Sequence, residues 1–235
     1  MTQKISIIER VKKLRVFSYF RELSVVIIGV LITLAITDRI NTNTKRSEIR
    51  EALSLVKMEL WNNLEILEEV STYYEEDIKL LGLFRDNLEN IRAIPAESIL
   101  ENPNVFGRMF EFTPTKDAYE VLKSSVLMPY IKDKTLLLDL MKCYSQMDKV
   151  ANAVALYVDL KIESAHNSLD IDPSLLYQLS NWMEQGDPYP YFETMLRSNE
   201  VRIFLRSAPN VFDDDIFGAL KQTMEIMIER IDKGY

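Results

Sequence analysis

Histidine is the commonest general base and metal ligand, and this chain of 235 residues holds one, His166. Glu163 stands three residues before it, a spacing that places both side chains on one face of a helix. Such a pair binds metal when other helices bring more ligands, and the Glu-x-x-His signature of carboxylate-bridged centres occurs only once here. The expectation is a surface or helix-end histidine. Cys143, the single cysteine, lies in LLLDLMKCYSQM with no second histidine to activate it, so a small buried apolar role is expected. Asp213, Asp214 and Asp215 in VFDDDIF suggest calcium by their charge. The alternating loop ligands and the turn glycine of a calcium loop are missing, and acids at a helix start complement its dipole. No phosphate-cradling glycine loop, nucleophile elbow or paired-cysteine spacing occurs. The sequence therefore predicts no enzyme, no catalytic residue, no metal and no cofactor.

One segment has an unusual composition. GDPYPYFE, residues 186–193, sets two prolines among Tyr189, Tyr191 and Phe192. These three are candidates for a pocket lip or a partner-contact loop; the plainer alternative is a loop that caps the core. Trp61 and Trp182 read as core or interface anchors.

The elements that position these residues follow from the prolines. All eight, Pro95, Pro103, Pro114, Pro129, Pro173, Pro188, Pro190 and Pro209, stand at apparent boundaries, leaving long proline-free tracts where helices can live. In the first tract Ile49, Leu53, Val56, Leu60, Leu64, Leu67, Val70, Tyr74, Ile78, Leu81, Phe84 and Leu88 recur at steps of three and four, predicting a helix over 45–91. Its other face carries Glu48, Lys57, Glu59, Asn62, Glu65, Glu69 and Glu76, read as solvated. The same period predicts helices over 134–168 and through Phe217, Leu220, Met224, Met227 and Ile231. Shorter ones are expected over 115–127, with Thr113 and Pro114 as cap and first turn, over 191–207, and between Asp172 and Gly186. Strand-like alternation is scarce. The fold class predicted is all-α, an N-terminal transmembrane helix followed by an elongated antiparallel helical bundle.

The transmembrane reading rests on RELSVVIIGVLITLAITDR. Leu23 to Ile36 are fourteen residues without a charge. A helix of that length covers about 21 Å, whereas Val16–Thr37 covers about 33 Å, enough for a hydrocarbon core of about 30 Å. Arg21 can snorkel outward, and Phe17, Tyr19 and Phe20 suit the interfacial zone. A cleaved signal peptide is disfavoured because Ala35-Ile36-Thr37 makes a poor cleavage site. A buried core helix is the third reading. Lys4, Arg10, Lys12, Lys13, Arg15 and Arg21 precede the run, against Arg39, Lys45, Arg46 and Arg50 after it. That bias puts the N-terminus in the cytoplasm. The organisation expected is a basic cytoplasmic segment 1–15, a membrane helix 16–37 and an extracytoplasmic, periplasmic or extracellular bundle 38–235. Within the span Glu22 and Gly29 are candidate helix–helix contacts, since polar and small residues mediate association in lipid.

Composition narrows the partners. Six of 28 basic and two of 36 acidic side chains fall in residues 1–37, leaving 22 and 34, a net charge of −12 for the rest. An acidic body excludes a nucleic-acid footprint. The partners expected are the lipid bilayer and either another protein or further copies of the chain.

FRELSVVIIGVLITLAITD, the long polar-striped helix and FTPTKDAYEVLKSSVLMPYIKDKTLLLDLMKCYSQM together resemble a group of bacterial single-span proteins catalogued as a domain of unknown function. In that group a Glu precedes a Val/Ile/Gly/Leu-rich span, and a Thr/Ser-x-x-Ala-Tyr-x-x-Leu helix follows downstream. Glu22, Thr115, Ala118, Tyr119, Leu122, Ile131, Lys132 and Tyr144 occupy the matching places. The group often has Gly after the Ser of the middle helix, where this chain reads Ser124-Ser125-Val126. The resemblance covers roughly residues 15–150. It implies a topology, an inner-membrane anchor bearing a helical outer domain, and brings neither activity nor site residues. The function expected is a non-catalytic interaction or assembly subunit of a membrane complex; the alternative is an extracytoplasmic ligand-sensing bundle that signals through a partner.

Overall fold

The computed structural model describes the backbone of residues 2–102, 105–212 and 215–234, with side chains at 31–32 and from 43 onward in those ranges, Gln185 excepted. The regular structure of the described residues is all helical, with no strand: α1 Thr2–Asp86, α2 Ala96–Leu100, α3 Asp117–Ser124, α4 Lys134–Ile171, α5 Ser174–Gln185, α6 Tyr189–Met195, α7 Asn199–Ser207 and α8 Ile216–Gly234. The all-α class is as the periodicity predicts. Among the described residues no helix is long and apolar enough to cross a membrane. Of the predicted span 16–37, only the side chains of Leu31 and Ile32 are described; Glu22 and Gly29 lie outside the described side chains.

The chain divides into two compact units, one of Met1–Ala52 with Val126–Ile131, the other of Leu53–Ser125 with Lys132–Tyr235. In the first, a 3₁₀ turn at Met128–Tyr130 is closed by the Tyr130 N–H donating to the Leu127 carbonyl at 2.9 Å. The Lys45 ammonium lies 3.6 Å from the centre of the Tyr130 ring. Ile131 is fully buried.

In the second unit the apolar stripe of α1 does what its spacing predicts. Leu53, Val56, Leu60, Leu67, Val70, Tyr74, Leu81 and Phe84 are all buried. Facing them on α4 are Leu136, Leu140, Tyr144, Met147, Val154 and Val158, also buried. Polar contacts settle the directions. Glu59 meets Tyr144, and Asp77 further along α1 meets Tyr157 and Lys161 further along α4, so these two helices run parallel. Lys57 reaches Asp232 at 2.5 Å while Lys221 reaches Glu68 at 2.6 Å, so α8 runs antiparallel to α1. The bundle is thus not antiparallel throughout. The reason is the connection: residues 87–133 return the chain to the beginning of the α1 segment before α4 starts. Similarly, the single helix expected over 191–207 is two, α6 and α7, separated by Leu196–Ser198.

Helix ends are built partly as the sequence signals. Asp133 caps α4, its carboxylate accepting from the Leu136 N–H at 2.9 Å and the Thr135 hydroxyl at 2.6 Å. Asp172 accepts from the Ser174 N–H at 3.0 Å, and Gly186 ends α5 in the left-handed region at φ 77°. For α3 the local cap is absent. Lys116 at its N-cap makes no side-chain capping bond. The cap comes from α1 instead: Glu59 accepts from the N–H groups of Ala118 at 2.8 Å and Tyr119 at 3.3 Å. Glu59 is therefore buried, 7% exposed, and not part of the solvated face its neighbours form. Its lone pairs also take the Tyr144 hydroxyl. One turn on, Asn63 donates to the Thr115 carbonyl and accepts from the Thr115 N–H, both at 2.8 Å.

Two outcomes follow for the full chain. The Asp133 carboxyl is drawn down to about 2 by its bonds from Thr135, Leu136 and then Arg230, against an ordinary 3.8. A folded value below the unfolded one adds stability that is complete above about pH 4 and disappears as pH falls toward 2. Asp133→Asn flattens that dependence in urea titrations across the same window. Glu59→Ala strips the α3 cap and orphans the buried Tyr144 hydroxyl, costing about 2–3 kcal/mol in urea unfolding followed by circular dichroism. Tyr144→Phe then costs less on the Glu59→Ala background than alone.

Candidate functional site

His166 is exposed near the end of α4, as is Glu163 one turn before it. No cluster of three or more His, Cys, Asp or Glu is placed to hold a metal ion among the described residues. Cys143 is buried, and desolvation pushes its thiol up to about 12. Asp213 and Asp214 lie outside the described residues, while Asp215 precedes α8 with φ 60°, a left-handed conformation that aspartate tolerates.

The GDPYPYFE segment folds as the start of α6, whose helix runs from Tyr189. Phe192 is completely buried, its ring 5.0 Å from Phe84 and 5.4 Å from Trp182. Tyr191 stacks on Trp182 at 5.7 Å. The Tyr189 hydroxyl donates to the Ile94 carbonyl at 2.8 Å, and the Arg92 guanidinium lies 5.0 Å from its ring centre. The three predicted residues thus divide, Tyr189 joining α6 to the 91–94 turn and Tyr191 and Phe192 packing α6 on Trp182 of α5. Trp182 is a core residue, whereas Trp61 is 53% exposed on α1.

Beside that joint opens a cleft of about 370 Å³ lined by Leu88, Glu89, Arg92, Glu193, Arg197 and Arg202, among others. Glu193 takes the Arg92 Nε at 2.9 Å, and Glu89 takes the outer nitrogen of Arg202. The Arg202 Nε is buried without a partner among the described residues. Guanidinium groups on such a wall suit planar carboxylates, but two acids of the chain itself already hold two of them. A larger cavity of about 630 Å³ runs between α1 and α8, with Leu67, Tyr74, Ile78 and Phe217 as apolar lining and Glu68, Glu75, Asp215 and Lys221 as charged lining. The Glu68–Lys221 ion pair holds two of those charges together.

The strongest electrostatic feature is one the periodicity does not announce. Asp77 and Lys161 are both buried, their side chains 3% and 2% exposed. The ammonium donates to both carboxylate oxygens, at 2.9 and 2.8 Å, and the Tyr157 hydroxyl donates to one of them at 2.7 Å. Burial pulls the Lys161 ammonium below its ordinary value while Asp77 opposes the shift. Burial, then the Asp77 charge, pushes the Tyr157 phenol far up, so it remains a donor. Around the cluster lies an aromatic layer: Tyr157 stacks on Phe212 at 5.2 Å and meets Phe204 edge-on, and Tyr74 meets Tyr157 at 5.1 Å. The sequence signal was present but ambiguous. Asp77 falls three residues after the striped Tyr74, and Lys161 three after Val158, each at the margin of an apolar face.

No family model, curated protein or solved structure matches this chain. Of the residues that carry the resemblance to the single-span group, Thr115, Ala118, Tyr119 and Tyr144 all bond to Asn63 or Glu59 of α1, and Leu122 is buried. In this chain that pattern is a packing device.

Lys161→Met leaves Asp77 buried opposite a thioether and costs about 3–5 kcal/mol in urea unfolding. Replacing the whole cluster, with Asp77→Leu and Tyr157→Phe added, recovers most of that loss. A triple variant as unstable as the single one shows that the ion pair supports more than itself.

Proposed function

We propose that this chain is a bacterial inner-membrane protein anchored by residues 16–37, with its N-terminus cytoplasmic and residues 38–235 outside the cytoplasm. Its role is a non-catalytic interaction or assembly subunit, joining other proteins or copies of itself. The observation that carries the anchor is the exposure of Leu31, 60%, and Ile32, 55%. Adjacent residues of a helix point about 100° apart, so the two together leave a broad apolar stretch of this run uncovered. Both are bare, in a run of fourteen uncharged residues. The uncharged run is what sets this pair apart from exposed apolar residues elsewhere on the chain, and a bilayer is an environment that accepts such a run.

Support for a contact role comes from α5. Leu176, Tyr177 and Met183 are 60%, 69% and 82% exposed while Leu175 and Trp182 of the same helix are buried. Exposed apolar side chains grouped on one helix are a feature of protein contact surfaces. The reactive groups at hand are spent on structure: the thiol is buried and the strongest charge cluster is fully paired.

Membranes from cells expressing the full chain are expected to keep it through an alkaline carbonate wash and to release it in detergent. Deleting residues 16–37 sends the remainder to the soluble fraction. A full chain that dissolves without detergent overturns the anchor. In-cell crosslinking is expected to give adducts above the mass of the monomer, and a strictly monomeric protein with no co-purifying chain overturns the assembly role.

A further inference from the structure

The Val126–Ile131 segment presents chemistry suited to a phospholipid headgroup layer. It belongs to the compact unit that also holds Met1–Ala52. Val126 is 82% exposed and Tyr130 50%, and Pro129 between them is exposed too. The Lys45 ammonium sits 3.6 Å from the Tyr130 ring centre, and exposed Arg46 follows it on α1. Tyrosine rings are enriched at membrane–water interfaces, and an ammonium beside one is placed to meet headgroup phosphate.

Position along α1 agrees. Lys45 lies eight residues beyond Thr37, where the span is expected to end, which is about 12 Å of helix. The polar layer of a bilayer extends about 5–8 Å past the hydrocarbon edge on each side. A lysine stem can span the remaining distance once its ammonium leaves the Tyr130 ring for phosphate. Charge argues for the same spot. The chain beyond residue 37 is acidic overall, net −12, and an anionic surface repels it except where basic side chains come forward. Arg39, Lys45, Arg46 and Arg50 are four of its basic residues, all on this stretch of α1.

We propose that the Val126–Ile131 segment rests on anionic phospholipid headgroups where α1 leaves the bilayer, Val126 and Tyr130 entering the interface and Lys45 and Arg46 meeting phosphates. This rests on the membrane-anchor reading, and the test separates the two. The buried thiol of Cys143 stays unlabelled at neutral pH, which leaves single introduced cysteines as the reporters. The full chain is reconstituted in phosphatidylethanolamine–phosphatidylglycerol vesicles as Ile32→Cys, Val126→Cys or Met183→Cys, each position exposed in the structure, and tagged with an environment-sensitive fluorophore. Lipids carrying a quencher at headgroup depth or deep in the chains then report position.

The expected result is that Ile32→Cys loses most of its emission to the deep quencher and Val126→Cys loses it to the headgroup quencher. Met183→Cys keeps its emission with both. If Val126→Cys behaves like Met183→Cys while Ile32→Cys is quenched, the headgroup contact is overturned and the anchor stands. If Val126→Cys is shielded from a water-soluble thiol reagent yet unquenched by lipid, a protein covers the segment and the contact is again overturned. An unquenched Ile32→Cys overturns the anchor and the contact together.

Discussion

Two long helices that run in the same direction cannot be joined by a short turn, and nothing in an apolar stripe alone fixes how far one is slid along the other. In this chain buried polar contacts supply that register. Glu59 and Asn63 of α1 hold the Thr115–Tyr119 stretch and the Tyr144 hydroxyl, and Asp77 holds Tyr157 and Lys161. A shift of one turn would leave a carboxylate and an ammonium buried apart, at a cost far above that of repacking leucines. The α1–α4 pairing depends on these contacts for its alignment and on its leucines and valines for its strength.

The same contacts explain why the connection between α1 and α4 is ordered without much helix of its own. Residues 105–116 contain only a turn and irregular backbone, whose polar groups need partners. Tyr74 supplies one, donating to the Phe110 carbonyl at 2.6 Å, and Asn63 serves Thr115. Beneath this stretch Phe106 and Phe112 are buried. At the other end Phe84, Phe192 and Trp182 make the second aromatic cluster, to which Tyr189 and Tyr191 are peripheral. Of the side chains that looked suited to a partner, Phe192 is committed to the core.

On the anchored-subunit proposal, the chain would present a surface to partners from its membrane helix. Its sole histidine and cysteine stand apart, one exposed and one buried. Two arginines of the cleft beside α6, Arg92 and Arg202, face carboxylates that the chain supplies itself. Exposed apolar side chains include Leu31 and Ile32 in the greasy run, Leu176, Tyr177 and Met183 on α5, and Val126 and Tyr130 in the 126–131 segment of the other compact unit.

By itself the sequence determined the helices, because an apolar stripe at steps of three and four is a local property and prolines mark where it must stop. It determined the ends of α5 for the same reason, since Asp172 and Gly186 act within a turn of themselves. Only the tertiary structure decided that α4 runs parallel to α1, that Glu59 leaves the solvated face to cap a helix 59 residues away, and that Asp77 and Lys161 meet in the core. Those outcomes join residues far apart in the chain, and a polar side chain at the edge of an apolar stripe has the same local pattern whether it turns outward to water or inward to a distant partner.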